Sequence, residues 1–212
     1  MNKTLIYLFD PLCGWCYGAT ATISKLHESP DVNVELLPTG LFADEGAKLM
    51  NDEFAAYAWS NDQRIAHLTG QNFTERYREL VLKNRQQRFD SGPATVALTA
   101  VALTAPTREL ETLKAIQHAR FVDGQDITQF QTLVTILTSL KLDTAAAMVE
   151  SRDEDLLRAT QDRIQRAHTL MQDFSARGVP TFIAAIGTKH WMLNTSDVYS
   201  NPEALMDQLT VV

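Results

Sequence analysis

The chain has 212 residues, of which 45% are hydrophobic and 21% are charged, a composition typical of a folded protein with a sizeable core and not of a disordered or fibrous one. Its 19 basic and 26 acidic residues give a formal net charge of -7, and the basic residues are scattered, which argues against nucleic-acid or membrane-surface partners. The longest strongly apolar stretch, residues 94–105, is interrupted by threonines and is too short to span a bilayer.

The first 40 residues carry the pattern of a strand, a helix and a second strand. Residues Leu5–Phe9 form an apolar run that ends at Asp10-Pro11, as expected of a buried strand. A helix is predicted from near Cys13 to about His27, because apolar side chains recur there at three- and four-residue steps. Residues 31–37 alternate between apolar and polar side chains, which predicts the second strand.

The middle of the chain, residues 42–175, has helical periodicity without a strand signal. We predict helices near Asp52–Leu68, Thr74–Gln87, Pro93–Ala105, Thr107–Val122, Ile127–Leu140 and Asp153–Ala176. This region is therefore expected to be an all-helical insertion domain.

The strand pattern returns after Gly178-Val179-Pro180. Thr181–Ile186 and His190–Leu193 predict a hairpin, and a short helix capped by Asn201 follows. The sequence thus predicts an α/β protein in which residues 1–41 and 176–212 form one discontinuous domain around the insertion at 42–175.

The only two cysteines, Cys13 and Cys16, enclose Gly14 and Trp15 at the start of the first predicted helix. A disulfide across so few residues would constrain little of the chain, so the pair indicates chemistry and not a structural staple. Unpaired backbone amides and the helix dipole favour a thiolate at Cys13, which makes it the candidate nucleophile. Cys16 lies one turn further on the same face and is the candidate resolving thiol.

A zinc half-site and an inert buried pair are the alternatives to this redox role of the two cysteines. A zinc site would need two further ligands, and the spacing of the five histidines does not supply them. Neither Gly14 nor Trp15 adds a positive charge, so we expect a milder oxidant than a motif containing histidine would give. Trp15 either presents an apolar docking surface beside the sulfur or packs in the core.

The run Asp10-Pro11-Leu12-Cys13-Gly14-Trp15-Cys16-Tyr17-Gly18, followed much later by Gly178-Val179-Pro180-Thr181-Phe182, resembles the DsbA-like thioredoxin family. The resemblance is strongest to its predicted protein-disulfide isomerase and FrnE-like members, and it covers nearly the whole chain. It implies a thioredoxin fold interrupted by a helical domain. It also implies a cis bond between Val179 and Pro180, opposite the two cysteines, where the Val179 backbone would pair with an extended substrate.

The sequence departs from the better-known family members at one position. Many of them carry a buried carboxylate on the first strand, six residues before the nucleophilic cysteine, and here that position is Tyr7. The nearest carboxylate is Asp10, which is either a proton shuttle for Cys16 or a turn-forming residue before Pro11.

We therefore expect a thiol–disulfide oxidoreductase or isomerase that acts on protein or small-molecule disulfides and exchanges electrons with a recycling partner the sequence does not identify. No cofactor or metal is expected, although glutathione would suit as a co-substrate. The short amino-terminal apolar run lacks the features of a secretion signal, so a cytoplasmic location and a reducing potential are expected. The alternatives are a glutathione-dependent transferase or isomerase of the kappa type and a redox-sensing binding module.

Overall fold

The fold is built on a mixed four-stranded sheet. The computed structural model describes residues 3–195, 198–199 and 202–209. The strands are β1 (Lys3–Phe9), β2 (Val32–Pro38), β3 (Lys48–Leu49), β4 (Arg88–Phe89), β5 (Thr181–Ile186) and β6 (Lys189–Met192). The large sheet has the order β2-β1-β5-β6. Strand β1 is parallel to β2 and antiparallel to β5, and β5 is antiparallel to β6. This arrangement confirms the predicted thioredoxin fold.

Nine α-helices lie within the described ranges. They are α1 (Gly14–Glu28), α2 (Asp52–Thr69), α3 (Glu75–Tyr77), α4 (Gly92–Thr104), α5 (Glu109–Phe121), α6 (Phe130–Ser139), α7 (Asp143–Ser151), α8 (Glu154–Asp173) and α9 (Pro202–Gln208). The predicted cap of α9, Asn201, lies outside the described residues.

Local sequence signals set the ends of the longer helices. The Asn51 side chain accepts a hydrogen bond from Phe54 N–H at the start of α2, and Gly70 ends that helix in the left-handed conformation (φ 72°). The Asp153 side chain likewise accepts from Leu156 N–H at the start of α8. Side-chain caps of this kind satisfy backbone amides that have no partner within the helix.

The two faces of the large sheet have separate cores, because alternate residues of a strand point in opposite directions. Leu5, Tyr7 and Phe9 belong to the larger core, which includes α1 and much of the insertion. Ile6 and Leu8 face a smaller core against α8. The other members of this smaller core are Leu37, Ala167 and Ile183, with Leu170, Met171 and Phe174 packed against them. Helix α8, which the sequence assigns to the insertion, therefore covers one face of the sheet. The domain boundaries at 41/42 and 175/176 stay a prediction.

The insertion is mostly helical, with three departures from the prediction. Strands β3 and β4 form a short antiparallel pair, and two-residue strands carry no periodicity that a sequence could reveal. The helix predicted over 74–87 ends earlier, because α3 continues only as a π-helical turn, Arg78–Leu82. Helix α7, a nine-residue helix between α6 and α8, was not predicted.

Within the described ranges, no helix combines the length and the hydropathy needed to cross a bilayer.

Helix α2 of the insertion packs against helix α1, and the two helices approach closely at Gly18 of α1. A Cβ atom added at Gly18 would lie 2.7 Å from Cγ2 of Ile65, and Ile65 is fully buried. The contact places α2 directly beside the helix that carries both cysteines.

Ile65→Ala is expected to lower the free energy of unfolding by about 2–5 kcal/mol, because it leaves a cavity between α1 and α2. Urea denaturation would measure the change. The matched control is Leu68→Ala on the same helix, where the side chain is 43% exposed and the loss should be under about 1 kcal/mol. Equal losses for the two variants would contradict the importance of this contact.

Candidate active site

Cys13 occupies the N-cap position of α1, with an extended backbone (φ -78°, ψ 118°). Its N–H donates to the Asp10 carbonyl at 3.1 Å, and its own carbonyl accepts the first helical hydrogen bond from Tyr17 N–H at 3.0 Å. The sulfur therefore lies at the amino end of the helix, where unpaired amides and the helix dipole favour negative charge. The residue is 8% exposed, whereas Cys16 is fully buried, so Cys13 is the more accessible of the two cysteines.

Cys16 lies one turn further along α1 and is fully buried. Both cysteines are free thiols. Burial raises the pKa of Cys16 well above its usual value, and the hydrogen bond and charge of Cys13 raise it further. A hydrogen bond from the Asp10 backbone amide opposes these effects. Cys16 is therefore protonated at neutral pH while Cys13 is reduced.

The loop before β5 meets the nucleophilic sulfur. The Val179 carbonyl oxygen lies 3.8 Å from Cys13 Sγ, and the Val179–Pro180 peptide bond is cis. Both residues are half-buried. The structure thus brings together two motifs that are 166 residues apart in the chain.

Trp15 is half-buried beside the motif. The centre of its ring lies 5.1 Å from that of the Tyr199 ring, and the Tyr199 hydroxyl donates to the Trp15 carbonyl at 3.2 Å. The Arg64 guanidinium of α2 lies over the Trp15 ring, 5.7 Å from its centre. Trp15 therefore packs on its neighbours and still presents part of its surface next to the sulfur.

Tyr7 occupies the β1 position where better-known relatives carry a carboxylate. Its ring stacks on Phe9 at 5.2 Å and on Phe182 at 5.1 Å, and its hydroxyl donates to the Cys16 carbonyl at 3.1 Å. Burial raises the pKa of Tyr7 well above 10, and the nearby cysteines add to the effect. Tyr7 can donate a hydrogen bond near Cys16, but it is not the base that takes its proton.

Asp10 is the fully buried carboxyl of the site. It accepts hydrogen bonds from Leu12 N–H at 2.9 Å, from Phe42 N–H at 3.2 Å and from Ser91 Oγ at 2.7 Å. Burial raises its pKa to about 6, although the three hydrogen bonds work in the opposite direction. Its charge also raises the pKa of Cys16. Asp10 therefore both shapes the turn before Cys13 and acts electrostatically on the resolving thiol.

The insertion supplies buried polar residues that the sequence analysis missed. The Tyr77 hydroxyl donates to Asp62 Oδ2 at 3.0 Å, and a Cβ atom at Gly14 would overlap Oδ1 of Asp62. Arg120 of α5 is 1% exposed and acts on both Asp62 and Asp10. The available signal was a charged residue on the apolar face of a predicted helix, where Asp62 follows Ala55 by two turns and precedes Ile65 by one.

Among the residues that the structure describes, no group of three or more His, Cys, Asp or Glu side chains is placed to hold a metal ion.

A pair of thiols at the amino end of the helix after the central strand, facing a cis-proline loop on a thioredoxin sheet, defines the class of thiol–disulfide oxidoreductases. The DSBA-like thioredoxin domain model matches residues 4–201. The chain therefore belongs to the DsbA-like thioredoxin family, and it is a thiol–disulfide oxidoreductase.

Several solved structures are similar to this chain over nearly its whole length. Cytosolic disulfide reductase DsbM from Pseudomonas aeruginosa is 30% identical, with a TM-score of 0.84 over 98% of this chain and 97% of that chain. A structure of the same protein with GSH is 29% identical, with a TM-score of 0.84 over 98% of this chain and 100% of that chain. A proposed protein disulfide isomerase from Nitrosomonas europaea shares the fold at 23% identity, with a TM-score of 0.83 over 99% of this chain and 97% of that chain. A comparison with curated proteins finds no match.

Asp10→Asn is expected to remove a pH-dependent destabilisation. The pKa of about 6 in the folded protein lies above the ordinary value of 3.8, so the folded state binds more protons than the unfolded state between these pH values. The free energy of unfolding contributed by Asp10 therefore falls as the pH rises from about 4 to 6. Relative to the variant, the wild type should lose roughly 3 kcal/mol between pH 4 and 7, measured by urea denaturation at each pH.

The control for this experiment is Asp155→Asn, which changes a carboxylate that is 89% exposed and should leave the pH dependence as in the wild type. A stability difference between the wild type and Asp10→Asn that stays constant with pH would contradict the raised pKa of Asp10.

Proposed function

We propose that the chain is a cytoplasmic reductase or isomerase of protein or small-molecule disulfides that exchanges electrons with glutathione. The main support for reduction of the substrate comes from the surroundings of Cys16. Cys16 is fully buried, and the charged groups that act on it, Cys13 and Asp10, are both negative when ionised. These surroundings disfavour a thiolate at Cys16, so they do not stabilise the reduced form of the motif. A dithiol whose reduced form is not stabilised is a good electron donor.

The first step is attack by Cys13. Its thiolate attacks one sulfur of the substrate disulfide, a Cys13–substrate disulfide forms, and the other substrate sulfur leaves with the electron pair as a thiolate. The position of Cys13 at the helix start and its remaining exposure support this role.

The second step is attack by Cys16 on the mixed disulfide. Once Cys13 is in a disulfide it no longer carries charge or accepts a hydrogen bond from the Cys16 thiol as a thiolate would, so two of the effects that raise the Cys16 pKa disappear. Cys16 becomes more acidic at the point where it must react. Asp10 accepts its proton, Cys16 attacks Cys13, and the reduced substrate leaves as the Cys13–Cys16 disulfide forms.

Substrate binding is proposed at Trp15, Val179 and Pro180. The Val179 carbonyl lies next to Cys13 Sγ, so an extended segment that brings a disulfide to the sulfur must pass along this backbone. Pairing with the Val179 backbone would hold the segment without regard to its side chains. The exposed part of Trp15 would add an apolar contact.

Recycling of the motif is proposed to use glutathione. Two glutathione molecules would reduce the Cys13–Cys16 disulfide, and they would leave as one molecule of glutathione disulfide while both cysteines regain their protons. Support comes from the similarity to a cytosolic disulfide reductase whose structure includes GSH. A reducing compartment would hold the motif mostly as the dithiol.

The reduction potential of the Cys13–Cys16 pair is expected to lie near the value of about -270 mV typical of thioredoxin, and not near about -120 mV as in DsbA. Equilibration with glutathione buffers of graded ratio, followed by thiol counting after acid quenching, would measure it. Cys16→Ser, which cannot form the internal disulfide, is the control. A potential near the DsbA value would overturn the proposed direction.

Cys16→Ser is expected to accumulate mixed disulfides between Cys13 and substrate proteins, because nothing resolves them. Non-reducing electrophoresis after acid trapping would detect them, and Cys13→Ser should show none. Turnover of Cys16→Ser with glutathione at the wild-type rate, without trapped species, would instead indicate a kappa-type transferase.

A further inference from the structure

Arg64 is an exposed arginine of α2 beside the cysteine motif. Its guanidinium lies over the Trp15 ring, 5.7 Å from the ring centre, which is within the distance at which an aromatic face attracts a cation. Trp15 is fixed in turn by Tyr199, whose ring packs on it at 5.1 Å and whose hydroxyl donates to the Trp15 carbonyl. The arginine is therefore held next to the residue that precedes Cys16.

The turn of α2 that carries Arg64 is also the turn that touches the motif backbone. A Cβ atom at Gly14 would overlap Oδ1 of Asp62 and would lie 3.2 Å from Cδ1 of Ile65. Asp62 and Ile65 are buried in this contact, whereas Arg64, between them in the chain, is exposed. Since Gly14 follows Cys13 directly, Arg64 lies at the solvent edge of the contact between α2 and the nucleophilic end of α1.

Arg64 forms no ion pair within the described part of the chain. The residues three and four positions away on α2 are Ser60, Asn61, His67 and Leu68, so the helix offers no acid at the spacing that allows a pair. Contact with a ring face leaves the N–H groups of a guanidinium able to donate. Arg64 can therefore offer two parallel hydrogen bonds to a carboxylate that arrives from solvent.

The proposed recycling reagent, glutathione, is an anion. It carries two carboxylates and one ammonium group at neutral pH, and so has a net negative charge. The protein has a formal net charge of -7, and the buried carboxyls Asp10 and Asp62 lie at the site, so the approach of an anionic thiol is opposed by repulsion. An accessible cation beside the motif offsets this repulsion at the place where the sulfur must react.

We propose that Arg64 is a specificity-determining residue that binds a carboxylate of glutathione while the glutathione sulfur is exchanged at Cys13. This inference rests on the proposed recycling by glutathione, and it adds the group that selects this reductant. The glycine carboxylate of glutathione belongs to the residue after its cysteine, about 3.8 Å further along the chain between Cα atoms. From a sulfur at Cys13 it can therefore extend to the side chains around the motif.

The exchange itself has two steps. A glutathione thiolate attacks Cys13 Sγ, a glutathione–Cys13 disulfide forms, and Cys16 leaves with the electron pair and takes up a proton. A second glutathione thiolate attacks the glutathione sulfur of this mixed disulfide, so glutathione disulfide leaves and Cys13 regains the electron pair. Arg64 takes no part in either bond change, and its effect is on the affinity for the anionic reagent.

The test compares three reductants of the oxidised full-length protein. They are glutathione, glutathione diethyl ester, in which both carboxylates are blocked, and mercaptoethanol, which is neutral. Acid quenching, alkylation of the free thiols and mass spectrometry would give the second-order rate constant for loss of the Cys13–Cys16 disulfide. Each reductant is compared with itself across the variants, so differences between the thiol pKa values of the reductants cancel.

Arg64→Gln is expected to lower the rate constant with glutathione about fivefold, because an ion pair with the carboxylate is lost. The rate constants with the ester and with mercaptoethanol should stay within about twofold of the wild type. Arg64→Lys keeps the charge, and its rate constant with glutathione should lie between those of the wild type and Arg64→Gln. The matched control is Arg158→Gln, which removes an arginine that is 67% exposed near the start of α8 and should change no rate constant.

Equal losses with all three reductants would show that Arg64 only supports Trp15, and an unchanged rate constant with glutathione would show that Arg64 binds no carboxylate. Either result overturns the inference. Failure of the proposed function has a different signature, because glutathione would then not reduce the oxidised wild-type protein, and the inference would fail with it. If glutathione reduces the wild type and Arg64→Gln at equal rates, only the inference about Arg64 fails.

Discussion

The chemistry of this protein depends on one buried sulfur. Cys16 lies in the first turn of α1 without access to water, and this burial is the main reason that its pKa is raised, with Cys13 raising it further. The same burial that keeps Cys16 protonated at rest also leaves the reduced motif without stabilisation of a Cys16 thiolate. The proposed reducing direction and the proposed activation of Cys16 in the mixed disulfide therefore share one physical origin, the burial of Cys16.

The insertion belongs to the active site as well as to the fold. Helix α8 covers the sheet face opposite α1, and α2 packs so closely on α1 that Gly18 leaves no space for a side chain. Through the contact of α2 with α1, the insertion places Asp62 against Gly14 of the motif. Family members that keep a carboxylate on β1 have that charge in the sheet itself, whereas here Tyr7 fills the position and the charges come from the loop and the insertion.

Much of this organisation was predictable from local patterns. The strand before Asp10, the helix that begins at Cys13 and the hairpin after Pro180 each have a periodicity or a breaker that indicates the element. The weaker elements had no such signal. Strands β3 and β4 have two residues each, and α3 gives way to a π-helical turn, so their conformations depend on neighbours that are distant in sequence.

The fold family and the cysteine pair at a helix start could be predicted from the amino-acid sequence, because helix starts and cysteine spacing are local properties. The surroundings of Asp10, on which its proposed role toward Cys16 depends, are visible only in the folded protein. Asp10 is an ordinary turn residue in the sequence, and its pKa is raised by burial, which outweighs the hydrogen bonds from Phe42 N–H and Ser91 Oγ that lower it. The burial of Arg120 among aromatic rings was likewise not predictable from the sequence, since it depends on packing that the chain reaches only after it has folded.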